Sequence, residues 1–159
     1  MHDMFRHLHL PRELACMFLA VFSRMEYALK STNYAVGGER GVDPAWDSFA
    51  NDIDYDFLAL THQHVIDARN YLLRHPPRKQ ILKDKQIGFV DQVIDPHQAK
   101  TQQTLLMVRT VRNNLFHGGK YSPEGKREAG RNHLLVKHAI CVLLACSELN
   151  ADVRSSFEH

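Results

Sequence analysis

The 159-residue sequence predicts an all-α fold, a helical bundle of about four to five helices. Three observations predict it. Apolar residues recur at helical spacing through several long segments. Proline, asparagine and glycine punctuate those segments where helices would start or stop. Little of the chain alternates polar and apolar residues as a half-buried strand does.

The first helix is expected from about Pro11 to Lys30. Proline suits a first helical turn, where its missing N–H removes no bond, and Leu14, Phe18, Val21, Met25 and Leu29 form one stripe. Thr32, Asn33 and Gly37-Gly38 end it. A short helix is expected from Pro44, with Asp43 as N-cap and with Trp46 and Phe49 as core residues. Another runs from about Tyr55 to Arg74 and stops ahead of Pro76-Pro77, because the residue before a proline is pushed out of helical geometry. Residues 76–94 read as a loop with one short element, a β-hairpin being the alternative. Asp95-Pro96 offers an N-cap and a first-turn proline for a helix that continues to about Phe116. It closes at Gly118-Gly119, where glycine takes the left-handed cap conformation. Ser122-Pro123-Glu124 starts a last helix to about Leu149, and its nearly all-round apolar stretch from Leu134 makes it the expected centre of the bundle. The whole chain, 1–159, reads as one domain with flexible ends at about 1–10 and 151–159.

Composition excludes several classes. No apolar run approaches the roughly 20 residues that span a bilayer, no targeting segment is read, and a cytoplasmic protein without membrane attachment is expected. Cys16, Cys141 and Cys146 sit among apolar neighbours without Cys-x-x-Cys spacing, so they read as buried thiols of a reducing compartment. His7 with His9, and His62 with His64, are two apart and would point to different helical faces, and no His-Glu-x-x-His occurs. No metal and no cofactor is expected. The net charge of +2 is too small to indicate a polyanion partner, but its distribution is uneven. Residues 39–56 carry six acidic side chains against Arg40 alone, whereas residues 100–137 carry eight basic ones against Glu124 and Glu128. A basic zone of that kind concentrates a polyanion near a site.

The basic zone surrounds the string Arg112-Asn113-Asn114-Leu115-Phe116-His117-Gly118-Gly119-Lys120. An arginine and a histidine at roughly this distance is a common pattern here, since Arg69 with His75, Arg127 with His133 and Arg131 with His138 approximate it. The full string is more specific: arginine followed by asparagine near a helix end, two apolar anchors, then histidine before a Gly-Gly. Together with the upstream Phe22-Ser23-Arg24-Met25-Glu26-Tyr27-Ala28-Leu29-Lys30, it resembles the HEPN superfamily. The resemblance implies a HEPN-like helical domain and a metal-independent endoribonuclease of the toxin or antiphage-effector type. Arg112, Asn113 and His117 would be its catalytic residues, RNA its substrate, and a homodimer interface the place of its cleft. An antitoxin or other partner protein belongs to the same implication. The alternative is a non-catalytic HEPN-like module that binds RNA, nucleotide or a protein.

The residue chemistry fits such a reaction. Arginine stays charged and grips a phosphate through two donors, and a histidine in a last helical turn, near neutrality, is suited to proton transfer. Residues five apart lie roughly 140° apart around a helix. Arg112 and His117 therefore meet only if the helix end deforms at Gly118-Gly119 or if a second subunit supplies the other half. Arg109 and Lys120 are expected to bind substrate. Glu26, a carboxylate within an apolar stripe, either faces Arg112 and steadies it or lies, with Arg24, on the solvated side.

Overall fold

The computed structural model describes residues 4–118 and 129–159. Helix α1 (Arg12–Lys30) follows Pro11 as expected, and its buried stripe is Ala15, Phe18, Phe22, Met25, Ala28 and Leu29. The chain then forms a hairpin of β1 (Ala35–Gly38) and β2 (Gly41–Pro44), paired antiparallel with Gly38 opposite Gly41. Gly37 has φ +128, and a Cβ there would run into the Gly41 carbonyl, so only glycine fits. Helices α2 (Trp46–Asp52) and α3 (Asp54–Ala59) follow, then α4 (Gln63–Arg74). A second hairpin pairs β3 (Lys79–Lys83) with β4 (Gln86–Val90). Helices α5 (Lys100–Phe116), α6 (Ala129–Ser147) and α7 (Ala151–Glu158) complete the described chain.

The all-α expectation is overturned: the described residues form seven helices and two small antiparallel sheets. Both hairpins lack the pattern that announces a strand. β1 and β2 are exposed almost throughout, so no apolar face alternates with a polar one. β3 and β4 turn through Asp84 and Lys85 at φ 50 and 62, a left-handed pair without the glycine or asparagine that normally marks it.

Four local expectations are corrected as well. Asp43 lies in β2 and caps nothing; α2 begins after Ala45 without a side-chain cap. The helix expected over 55–74 is broken at an extended Leu60, because its first half packs on α5 whereas its second half also packs on α6. Asp95-Pro96 opens a turn rather than α5: Asp95 Oδ1 accepts from the His97 N–H at 2.9 Å. The helix starts at Lys100, where the Asp54 carboxylate of α3 accepts the Thr101 N–H at 3.0 Å and takes over the capping role. The expected flexible tail 151–159 is largely helical. Asn150 Oδ1 caps α7 by accepting from the Asp152 and Val153 N–H groups, and Arg24 of α1 clasps its other end by donating to the Phe157 carbonyl at 2.6 Å. The start expected at Ser122-Pro123-Glu124 lies outside the described residues.

Helix α1 packs on α6 and α7, and α5 packs on α2, α3, α4 and α6. Both α5 and α6 are core helices, and α5 buries polar side chains besides apolar ones. Several of these buried polar groups answer a backbone need. Gln103 Nε2 donates to the carbonyls of Asp95 and Gln98 at 2.8 and 3.0 Å, which fastens the entry turn. Thr104 and Thr110 return their hydroxyls to the carbonyls four residues earlier. Trp46 and Phe49 are core residues, as expected, at 5% and 0% exposure. Cys146 is buried and Cys141 half-buried, but Cys16 is exposed, against expectation.

Candidate functional site

Four aromatic side chains form a row. Phe116 stacks on Phe18 (6.1 Å between ring centres), Phe18 meets Phe22 edge-on (5.8 Å), and Phe22 lies against Trp46 (5.4 Å). This row brings α1, α2 and the end of α5 together, and a polar cavity of about 290 Å³ opens beside it. Helix α5 contributes Arg109, Arg112 and Asn113, three positions that share one helix face by their spacing. Helix α1 contributes Phe22 and Glu26, one turn apart; β2 contributes Asp43 and Pro44; α2 contributes Trp46.

Arg112 is the centre of this cavity. Its guanidinium lies 5.4 Å from the Phe22 ring centre and 5.9 Å from that of Phe116, and its Nη1 donates to Asn113 Oδ1 at 3.0 Å. Two aromatic faces and one amide thus fix a side chain that is otherwise rotamer-rich. Its Nε is screened from solvent and has no acceptor among the described residues. A buried donor left without an acceptor is costly. Arg109 is turned toward the acidic segment: its Nη1 lies 3.5 Å from Asp47 Oδ1, with the side chains 37% and 62% exposed. An ion pair so wet contributes at most about 1 kcal/mol and yields readily to a competing anion. Asp43 and Asp47 of the acidic segment therefore meet Arg109 and Arg112 of the basic one at this cavity.

Of the expected site residues, Arg109, Arg112, Asn113 and Glu26 share the cavity. Glu26 is half-buried and, among the described residues, makes no ion pair with either arginine. Arg24, its neighbour, is occupied with α7. His117 is exposed and does not line the cavity. Its N–H still donates to the Asn113 carbonyl at 2.9 Å, so the helix holds through this residue and is not deformed toward Arg112. The turn comes one residue later, at Gly118, φ +83. Lys120 lies outside the described residues. Asn114, part of the motif string, serves the fold instead. It is buried, and its Nδ2 donates to the Arg78 carbonyl at 2.7 Å, tying the base of the second hairpin to the motif helix.

Sequence reasoning missed Asp43, Phe22 and Trp46 as neighbours of the motif. Asp43 gave a signal, a carboxylate inside an acidic run, but its approach to α5 depends on a hairpin that the sequence does not announce. Among the described residues no three His, Cys, Asp or Glu side chains gather as metal ligands, and no single helix is long and apolar enough to cross a membrane. A larger cavity, about 490 Å³, lies between α4 and α6. Its wall is mainly apolar, with Leu60, Val65, Ile140 and Leu144, and carries His62, His64, Lys137 and Glu148 as polar groups.

Compared with known proteins, the chain matches no family model, no curated protein and no solved structure.

Proposed function

We propose that this protein is a metal-independent endoribonuclease of the HEPN kind, with an active site completed by a second copy of the chain. One observation supports the composite site above all others. Arg112 sits in a polar cavity while His117, five residues on, is held outside it by a helix that keeps its hydrogen bond to the end. A two-fold pairing that sets this helix end against its own copy would bring the histidine of one subunit to the arginine of the other.

In that arrangement His117 takes the proton of a ribose 2′-hydroxyl. The freed oxygen attacks the adjacent phosphorus, and the 5′-oxygen of the next nucleotide leaves with a proton from an acid in the site. The products are a 2′,3′-cyclic phosphate and a free 5′-hydroxyl. Arg112 donates to the phosphoryl oxygens as charge gathers on them, which is usually the largest single contribution to catalysis. Its aromatic clamp fixes the guanidinium before substrate arrives, so little reorganisation is needed. Asn113 holds Arg112 in register. A cytoplasmic toxin or antiphage effector, restrained by a partner protein, is the setting that fits such an activity.

Incubation of purified protein with a mixed RNA in EDTA tests this reading. Cleavage leaving cyclic phosphate ends is expected, and a substrate carrying 2′-deoxyribose at the cut should resist. A second reading, a non-catalytic RNA-binding module, gains support from the same position of His117, because no histidine among the described residues of one chain lines the arginine cavity. RNA bound but left intact by a clean, dimeric preparation would decide for it.

A further inference from the structure

We propose that the arginine cavity is a nucleobase site selective for guanine in single-stranded RNA. The inference rests on the RNA reading of the same cavity and adds what that reading leaves open, the base beside the cut. At about 290 Å³ the cavity is at the small end of ligand pockets, sized for one nucleotide rather than a duplex.

Its charged groups are two carboxylates and two guanidiniums. Glu26 and Asp43 are acceptors only, and neither has an ion-pair partner among the described residues. Arg109 and Arg112 are donors only, one of them with an unanswered Nε. With Arg112 committed to the phosphate, a base that satisfies a carboxylate and Arg109 must show two adjacent donors on one edge and two adjacent acceptors on another. Guanine is the base that does so. Its N1–H and N2–H₂ match the two oxygens of a carboxylate, and its O6 and N7 match the two donors of a guanidinium. Adenine presents a lone amino donor beside a ring acceptor. Cytosine does likewise, and uracil has one N–H between two carbonyls. None of these gives a carboxylate two donors. The donor edge of guanine is the edge used in base pairing, so the base must come from a single strand or a loop.

The chain carries its own reporter. Trp46 is the single tryptophan and lines the cavity, so its fluorescence registers occupancy directly. Guanosine, adenosine, cytidine and uridine 3′-monophosphates, none of which can be cleaved, are titrated against the wild-type dimer. Guanosine monophosphate should bind at least about tenfold tighter than each of the others, the discrimination one good bidentate contact provides. Glu26→Gln and Asp43→Asn keep shape and remove the acceptor pair, and at least one of them should bring the four affinities to within about threefold. Asp43 is exposed in an edge hairpin, so its variant folds even where the half-buried Glu26 is sensitive. Equal binding of all four nucleotides would overturn the base selectivity and leave a phosphate site. Failure of guanosine monophosphate to bind to a preparation that cuts RNA would overturn the base site while the nuclease reading stands. Selective guanine binding by a protein that cuts no RNA would uphold the base site and overturn the nuclease.

Discussion

Arg112 and His117 differ in what they do for stability, and that difference separates structural from chemical effects of substitution. His117 is exposed at a helix end, so His117→Ala should change stability by only about 0.5 kcal/mol. Arg112 lies between Phe22 and Phe116, so Arg112→Ala gives up cation–π contact and packing worth about 1–2 kcal/mol. Both should lower RNA cleavage by a factor of about 10²–10⁴. A melting curve beside an initial-rate assay checks the pair. A residue outside the cavity lining gives an independent test of the core. Tyr34 is buried and donates to Asp52 Oδ2 at 2.8 Å. Burial first, then that hydrogen bond and the charge of Asp52, push its pKa from 10.0 up to about 12. The folded state holds the phenol proton more tightly than the unfolded one. Its stabilisation is therefore complete below pH 10 and is lost as pH rises toward 12. Tyr34→Phe should flatten the fall in stability across that window, measured by denaturant unfolding at fixed pH values.

At the scale of elements, the helices were legible where a stripe and a stop signal coincide. Pro11 with the Leu14–Leu29 stripe marks α1, and Phe116 before Gly118 marks the end of α5. Boundaries failed where a long-range partner decides them. Asp54 from α3 starts α5, and the two packing partners of 55–74 break it into two helices, neither of which is written locally. The first hairpin escaped because its strands are exposed, and the second stood only as the alternative for residues 76–94 because its turn chemistry is atypical. That atypical turn makes a prediction: Lys85 at φ 62 is a non-glycine residue in left-handed geometry, so Lys85→Gly should stabilise the hairpin by about 0.5–1 kcal/mol. The rise in Tm should be about 2–4 °C at the upper figure. Arg24 is the counterpart for α7. Arg24→Met keeps the stem and removes the donors to the Phe157 and Ser156 carbonyls, so α7 should lose stability by about 1–2 kcal/mol and its amides should exchange faster. Hydrogen exchange resolved by peptide reads this directly. The site divides along the same line. Arg112, Asn113 and His117 stand in one readable string, whereas Asp43 and Trp46 reach it only through a hairpin and an aromatic row that span distant parts of the chain.

For the whole molecule, the separation of Arg112 from His117 is the fact that matters most. If one chain held a complete site, a variant lacking either residue would be dead whatever it is mixed with. A site shared between two copies behaves otherwise. Arg112→Ala chains keep His117 and His117→Ala chains keep Arg112, so a dimer containing one of each has one intact site and one doubly defective site. Random exchange of subunits makes about half the dimers mixed, each with one of its two sites working. The direct measurement is therefore RNA cleavage in EDTA by the two inactive variants after they are mixed and allowed to exchange. The composite site predicts recovery to roughly a quarter of the wild-type rate. A mixture as inactive as its components, beside a wild-type dimer that cuts, would contradict it.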